Sequence, residues 1–198
     1  MGRGPLKTFL VGLILLLTAS ISQAVVIDQF TGGTVLATAV FGESFTTPSG
    51  GPWTGIQFNF YSDAPPVTPN AAGNAWLLTQ EYLGTPTGLS TGTPGFLAEA
   101  VIISGGKHIF NPSVALSPGT EYWIYEDAVT SITGSPTGGG PGGQAYFAND
   151  TASNFSTIGG GQIANFTLAG SVPEPSSLLL LATGLSGVAS VIGRKLRR

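Results

Sequence analysis

The sequence predicts an all-β fold, an antiparallel sandwich or jelly roll of about nine short strands. The first observation behind this is alternation, because Ile56, Phe58 and Phe60 are separated by polar residues in the manner of a half-buried strand. The second is that Gly, Pro, Ser and Thr clusters interrupt nearly every window long enough for an amphipathic helix. Many short strands without a helical pattern favour a closed, two-sheet architecture.

Short apolar runs with the strand pattern recur between the two ends of the chain. In order they are residues 25–30, 34–45, 56–61, 75–82, 96–103, 107–116, 122–125, 145–149 and 162–168. Residues 46–55, 85–95 and 133–143 are rich in small residues and are predicted loops, the last of them flexible. Residues 117–120, Ser-Pro-Gly-Thr, fit a type II turn, so we expect a tight hairpin there.

The start of the chain has the three parts of a secretory signal peptide. Arg3 and Lys7 precede an apolar run over residues 9–17, and small residues then lead to Ala24. The run is too short to span a bilayer as a membrane helix. We therefore predict export, with cleavage between Ala24 and Val25.

The other end carries a second apolar segment. Residues 176–193 are a low-polarity run near the lower length limit for a transmembrane helix. Four of the seven basic residues of the chain follow it: Arg194, Lys195, Arg197 and Arg198. Basic residues beside a membrane helix favour the cytoplasmic side. This predicts that the helix is held in the inner membrane and that everything upstream of it lies outside the cytoplasm.

These segments divide the chain into three parts. They are a signal peptide (1–24), an all-β ectodomain (25–171) and a tail (172–198) made of a proline motif (172–175), the helix (176–193) and a basic end (194–198). The ectodomain has one basic residue, Lys107, against nine acidic residues, which gives a net charge of −8. Such a surface repels phosphate backbones, so nucleic acid is excluded as a partner. With no Cys in the chain, stability has to come from the core.

The tail resembles a known sorting signal. Val172, Pro173, Glu174 and Pro175, followed by the apolar segment and the basic end, are similar to the PEP-CTERM signal of Gram-negative bacteria. The resemblance implies recognition by an exosortase, a membrane transpeptidase-like enzyme that cuts near the Pro-Glu-Pro motif and releases or reattaches the protein. It also implies bacteria that make extracellular polysaccharide and a biofilm matrix. The prolines favour an extended, helix-free peptide that an enzyme can reach.

The ectodomain offers few groups for catalysis, with one His, one Lys, no Arg and no Cys. His108 has no Gly-x-Ser-x-Gly elbow to accompany it, so an exposed turn residue is the simpler interpretation. Glu81, Glu99 and Glu121 are the candidates for a carboxylate pair in glycoside hydrolysis, although acids at strand edges more often serve solubility. We therefore expect no enzyme activity and no cofactor.

Ligand binding is the remaining class of chemistry. Trp53, Trp76 and Trp123 are candidates for a sugar-stacking platform, with core packing as the commoner use of such rings. The acidic and amide clusters at 126–127 and 149–150 are the local candidates for calcium but lack EF-hand spacing, so no metal site is predicted.

Three functions follow, in order of preference. The first is a non-catalytic surface or matrix protein that is delivered by the secretion machinery, anchored by its helix and then displayed or shed by an exosortase. The second is a carbohydrate-binding module for exopolysaccharide. The third is a secreted glycoside hydrolase.

Overall fold

The computed structural model describes residues 24–30, 34–62, 68–100, 102–135, 142–159 and 162–172. Within them the chain forms thirteen strands and one short 3-10 turn, in a compact unit spanning Gln23–Val172. The all-β prediction is confirmed. The predicted signal helix and transmembrane helix lie outside the described residues.

The strands form two antiparallel sheets. In chain order they are β1 (Ala24–Gln29), β2 (Thr34–Thr46), β3 (Thr54–Phe60), β4 (Ala75–Leu78), β5 (Phe96–Ala100), β6 (Ile102–Ser104), β7 (Lys107–Ile109), β8 (Glu121–Glu126), β9 (Thr130–Ser135), β10 (Gly142–Ala148), β11 (Ser156–Thr157), β12 (Ile163–Ala164) and β13 (Phe166–Ser171). Sheet I has five strands in the order β1-β13-β3-β7-β6. Sheet II has eight, along β11-β10-β2-β8-β4-β5, with β9 paired to β2 and β12 paired to β9.

The main core lies between the two sheets. The residues predicted to share one face of β3 all point into it: Ile56, Phe58 and Phe60. Phe58 meets Phe60 edge-on, with ring centroids 4.8 Å apart, and stacks on Phe166 of β13 at 5.6 Å. Phe41 and Phe45 of sheet II reach these rings from the opposite side, each at 6.4 Å. Burial of one such side chain contributes roughly 1.5–3 kcal/mol, so these rings hold the sheets together.

Sheet II is covered on its outer face as well. All of β4 is buried, because Leu77 faces the inter-sheet core whereas Trp76 and Leu78 face a second apolar cluster outside. The connection between β4 and β5 contributes Leu89 to that outer cluster, and the chain after β10 contributes Phe155. The predicted loop at 85–95 therefore packs against the outer face of sheet II and contains a 3-10 turn at Pro86–Gly88.

Among the local predictions, two that bear on how the strands are connected are wrong. Residues 96–103 were expected to form one strand, but β5 belongs to sheet II and β6 to sheet I, so the chain changes sheets between them. The turn at 117–120 forms, with Gly119 at the positive φ that its position requires, but it closes no hairpin. Leu116 before it pairs with Trp53, and the Gly119 N–H donates to Thr47 O at 3.0 Å, so the turn is fixed by other strands.

Candidate functional site: an aromatic sheet face and the sorting tail

The structure separates the three tryptophans. Trp53 is 8% exposed and packs in the inter-sheet core, where its Nε1–H donates to Pro48 O at 3.4 Å. Trp76 and Trp123 both lie on the outer face of sheet II, on the paired strands β4 and β8. Trp76 is also 8% exposed, whereas Trp123 is only half-buried. A sugar ring stacks on an accessible aromatic face, so Trp123 is the candidate with the most ring surface to offer.

A chain of hydrogen bonds connects Trp123 to an exposed carboxylate. The indole Nε1–H donates to the Tyr146 hydroxyl at 3.2 Å, and that hydroxyl donates to Glu81 Oε1 at 2.9 Å. Burial raises the pKa of Tyr146 to about 12, and the bond to Glu81 adds to the rise. The hydroxyl therefore stays protonated at neutral pH and keeps donating, which fixes the indole ring beside the Glu81 carboxylate.

Tyr125, also on β8, holds the chain segments that cover this face of sheet II. Gly42 of β2 lies opposite Tyr125, and a Cβ at Gly42 would collide with the tyrosine ring, so only glycine lets the ring lie across the strand. The Tyr125 hydroxyl accepts the backbone N–H of Tyr82 at 3.0 Å, and its ring packs on Phe155 at 4.7 Å. Burial raises the pKa of Tyr125, so this hydroxyl is neutral as well.

The three candidate acids for hydrolysis have separate surroundings. Glu81 is exposed and bonds to Tyr146, and Glu121 is exposed at the start of β8. Glu99 Oε1 accepts from Asn74 Nδ2 at 2.9 Å. Within the part of the chain that the structure describes, no hydrogen bond joins two of these carboxyl groups.

The one histidine is buried, contrary to the exposed-turn interpretation. His108 pairs with Phe58, a core residue of β3, and so points inward from β7. Its Nε2 lies 3.0 Å from Glu126 Oε1 on β8 of the other sheet, and both side chains are fully buried. The Ala72 N–H donates to the same oxygen at 3.1 Å. The pair therefore joins sheet I to sheet II through the core.

Each side chain of this pair uses only one of its two polar atoms in a hydrogen bond. Among the described residues, His108 Nδ1 and Glu126 Oε2 have no hydrogen-bond partner. Burial raises the pKa of Glu126, and the contact with His108 opposes that rise. Buried polar groups with unmade hydrogen bonds cost stability compared with apolar residues of the same shape. The pair therefore adds little net stability, although loss of one partner alone would leave the other group buried and unpaired.

Glu43 is a second buried acid. The charge count from the sequence includes it among the surface charges, but in the structure it lies in the core. It lies on the inner face of β2 and is fully buried. Its Oε2 accepts the Ala164 N–H at 3.1 Å, and Oε1 has no partner among the residues described. Burial raises the pKa of Glu43 well above the usual range, against the opposing effect of that hydrogen bond. Two of the nine ectodomain acids thus add no charge to the surface.

The two calcium candidates use their oxygens for local structure. Asp127 accepts from the Asn74 N–H at 2.8 Å and from Trp76 Nε1 at 3.1 Å. The Ser153 hydroxyl, together with the N–H groups of Ala152 and Ser153 that donate to Oδ1, lowers the pKa of Asp150. Across the described residues, no three His, Cys, Asp or Glu side chains come close enough to hold a metal ion.

The two predicted processing points lie at neighbouring strand ends. Ala24, where signal cleavage is predicted, is the first residue of β1 and pairs with Gly170 of β13. β13 ends at Ser171, and Val172 follows it with 36% of its surface exposed. Residues 173–198 lie outside the described part, which itself contains no helix long and apolar enough to cross a membrane.

Comparison with known families gives a match at this end of the chain. The family model for the PEP-CTERM protein-sorting motif matches residues 171–198. No curated protein and no solved structure matches the chain. The match confirms the resemblance of the tail and supports an exported protein that an exosortase processes. The chain therefore carries a PEP-CTERM protein-sorting motif in residues 171–198, directly after an all-β domain.

Proposed function

We propose that this protein is a non-catalytic component of the cell surface or extracellular matrix. A signal peptidase removes residues 1–24, the helix at 176–193 holds the domain outside the inner membrane, and an exosortase then displays or sheds it. The observation that carries this proposal is the sorting-motif match, with four basic residues after the apolar segment in the orientation that retains them in the cytoplasm.

The chemistry of the ectodomain supports a non-catalytic role. Its one histidine is bonded to Glu126 inside the core, where substrate has no access. Glu43, the other fully buried acid among the residues that the structure describes, bonds to the backbone of β12. These two buried acids are thus engaged in packing the sandwich, whereas a catalytic acid or base has to reach a substrate.

Replacement of Pro173, Glu174 and Pro175 by alanine tests the sorting proposal. We expect the wild-type protein to appear outside the inner membrane without its tail, and the alanine variant to stay uncut in the membrane fraction. Cell fractionation with intact-mass measurement in the native host gives the readout. Leu83→Ala, a change of an exposed apolar residue in the ectodomain, is the control for expression and export. Equal processing of both variants would contradict the proposal.

Glycan binding at the outer face of sheet II is the second candidate. It is favoured by the half-buried Trp123 ring, fixed beside the Tyr146 hydroxyl and the exposed Glu81 carboxylate. Glu121 lies on β8 with Trp123, and Glu99 of β5 lies opposite Trp76, whereas the one basic residue of the ectodomain, Lys107, lies in sheet I. Acidic polysaccharides would be repelled, so we propose a neutral or amino-sugar polymer as the ligand.

Trp123→Ala tests this candidate. Loss of a stacking platform is expected to weaken binding to a neutral glycan about tenfold or more. The measurement is a glycan array followed by titration calorimetry with the purified ectodomain. Phe30→Ala removes an aromatic ring that directly follows β1 of sheet I and is 36% exposed, and it should leave the affinity unchanged. An array with no bound glycan would leave only the matrix role.

A further inference from the structure

The sorting motif begins where the last strand of the sandwich ends. β13 runs to Ser171 between β1 and β3, two strands of sheet I. Ser171 is only 6% exposed, whereas the next residue, Val172, is 36% exposed and opens the Val-Pro-Glu-Pro sequence. The family match itself starts at residue 171, inside the strand. The chain therefore has no spacer between the folded domain and the segment that the exosortase recognises.

The last residue of β13 is bonded firmly to its neighbour. Ser171 lies opposite Thr54 of β3. The Ser171 hydroxyl donates to Thr54 O at 3.2 Å, and the Thr54 hydroxyl donates to Ser171 O at 3.3 Å. On the other side of β13, Ala169 pairs with Val25 of β1, the residue that the proposed signal cleavage leaves at the N-terminus. In the processed chain the end of β13 is thus held by β1 up to Ala169 and by β3 at Ser171.

This arrangement conflicts with the needs of a peptide-cleaving enzyme. Proteolysis acts on segments that are exposed or that open locally, because the chain has to enter the enzyme in an extended form. Cleavage at residues 173–175 requires free chain upstream of the cut bond, and here that chain is the exposed Val172 preceded directly by Gly170 and Ser171 of β13. When opening is fast compared with cleavage, the population of the open form sets the rate.

We infer that processing of the tail requires release of the end of β13 from Thr54, so that local opening at this strand end controls exosortase cleavage. The inference rests on the proposed sorting by an exosortase. The reaction is ordinary peptide cleavage: the enzyme's nucleophile takes the acyl group, the leaving amine takes a proton, and water or an amine then releases the chain. The fold controls only access to the bond that is cut.

A disulfide across the strand end tests the inference. Residues directly opposite in an antiparallel pair have Cα atoms about 4.5–5.5 Å apart, within the range that a disulfide spans. The natural chain has no Cys, so Thr54→Cys with Ser171→Cys forms a unique cross-link in the oxidising periplasm. We expect the oxidised full-length double variant to keep its tail, and reduction with dithiothreitol in isolated membranes to restore cleavage.

Four further variants make the outcome decisive. Each single cysteine variant should be cut at least as fast as wild type, which shows that neither substitution blocks recognition. A flexible Gly/Ser spacer of about eight residues between Ser171 and Val172 should restore cleavage of the cross-linked protein. Thr54→Val, which removes only the hydroxyl, should speed cleavage of the uncross-linked chain about two- to tenfold.

The two proposals fail in different ways. Wild-type cleavage rates in the oxidised double variant would overturn the inference and leave exosortase sorting intact. Absence of cleavage in the wild type and in the spacer variant would overturn sorting itself. If the cross-linked protein with the spacer also stays uncut, the disulfide blocks cleavage by some means other than limiting the access of the exosortase to the cut bond. That result would also overturn the inference.

Discussion

Replacing His108 with leucine is expected to lower the free energy of unfolding by about 3–5 kcal/mol at neutral pH. The change removes the Nε2 atom 3.0 Å from Glu126 Oε1 and leaves that carboxyl group buried with only the Ala72 N–H as a partner. Denaturant unfolding of the purified ectodomain, followed by Trp fluorescence, measures the loss. The loss should shrink in acid, where the raised pKa of Glu126 lets the unpaired carboxyl take up a proton and become neutral.

The matched control replaces both members of the pair. His108→Leu combined with Glu126→Leu removes the unpaired carboxyl together with the two atoms that lack partners, so we expect stability close to that of wild type or above it. If the free energy of unfolding of the single His108→Leu variant lay within about 1 kcal/mol of the wild-type value, the hydrogen bond between His108 and Glu126 would be contradicted.

Glu43→Gln is expected to make the protein more stable than wild type at neutral pH and less sensitive to pH. In the folded state burial raises the pKa of Glu43 and keeps the carboxyl group protonated, whereas in the unfolded chain the group ionises above about pH 4.3. At pH values between the unfolded-state pKa and the folded-state pKa, unfolding releases a proton. The free energy of unfolding of the wild type therefore falls by up to about 1.4 kcal/mol per pH unit as the pH rises through this interval. Glutamine does not ionise and still accepts from the Ala164 N–H, so the variant loses that dependence.

The stability gap between the two proteins should therefore widen as the pH rises from acid towards neutral. Thermal or denaturant unfolding at several pH values measures it. Glu121→Gln makes the same substitution at an exposed position and is the matched control. Parallel curves for wild type and Glu43→Gln would contradict the assignment of a buried, protonated carboxyl.

Local sequence was enough to predict the two-sheet class and most strands. Alternation placed the inward face of β3 correctly, and the extended apolar run at 34–45 is β2. The sequence pattern missed β9, because Thr130–Ser135 is made of residues that are equally common in loops. It also missed the switch of sheets between β5 and β6, because nothing local distinguishes a strand that bends from one that ends.

The buried polar groups could not be predicted from the sequence for a different reason. His108 and Glu126 lie 18 positions apart, and each is buried only because the other faces it from the opposite sheet. Single-sequence reasoning assigns charged residues to the surface, where they are usually found. Trp123, Tyr146 and Glu81 likewise meet only after three separate segments come together. The tail was predictable because its motif, apolar segment and basic end are contiguous.

The central claim is that the tail directs processing of an exported domain. It is tested most directly by the intact mass of the protein recovered outside the inner membrane, in the native host and in the same host lacking its exosortase. We predict a single wild-type species that begins at Val25 and ends near residues 173–175, and a heavier, membrane-bound species with residues 176–198 attached in the deficient host. The same tail-bearing mass in both hosts would contradict the account.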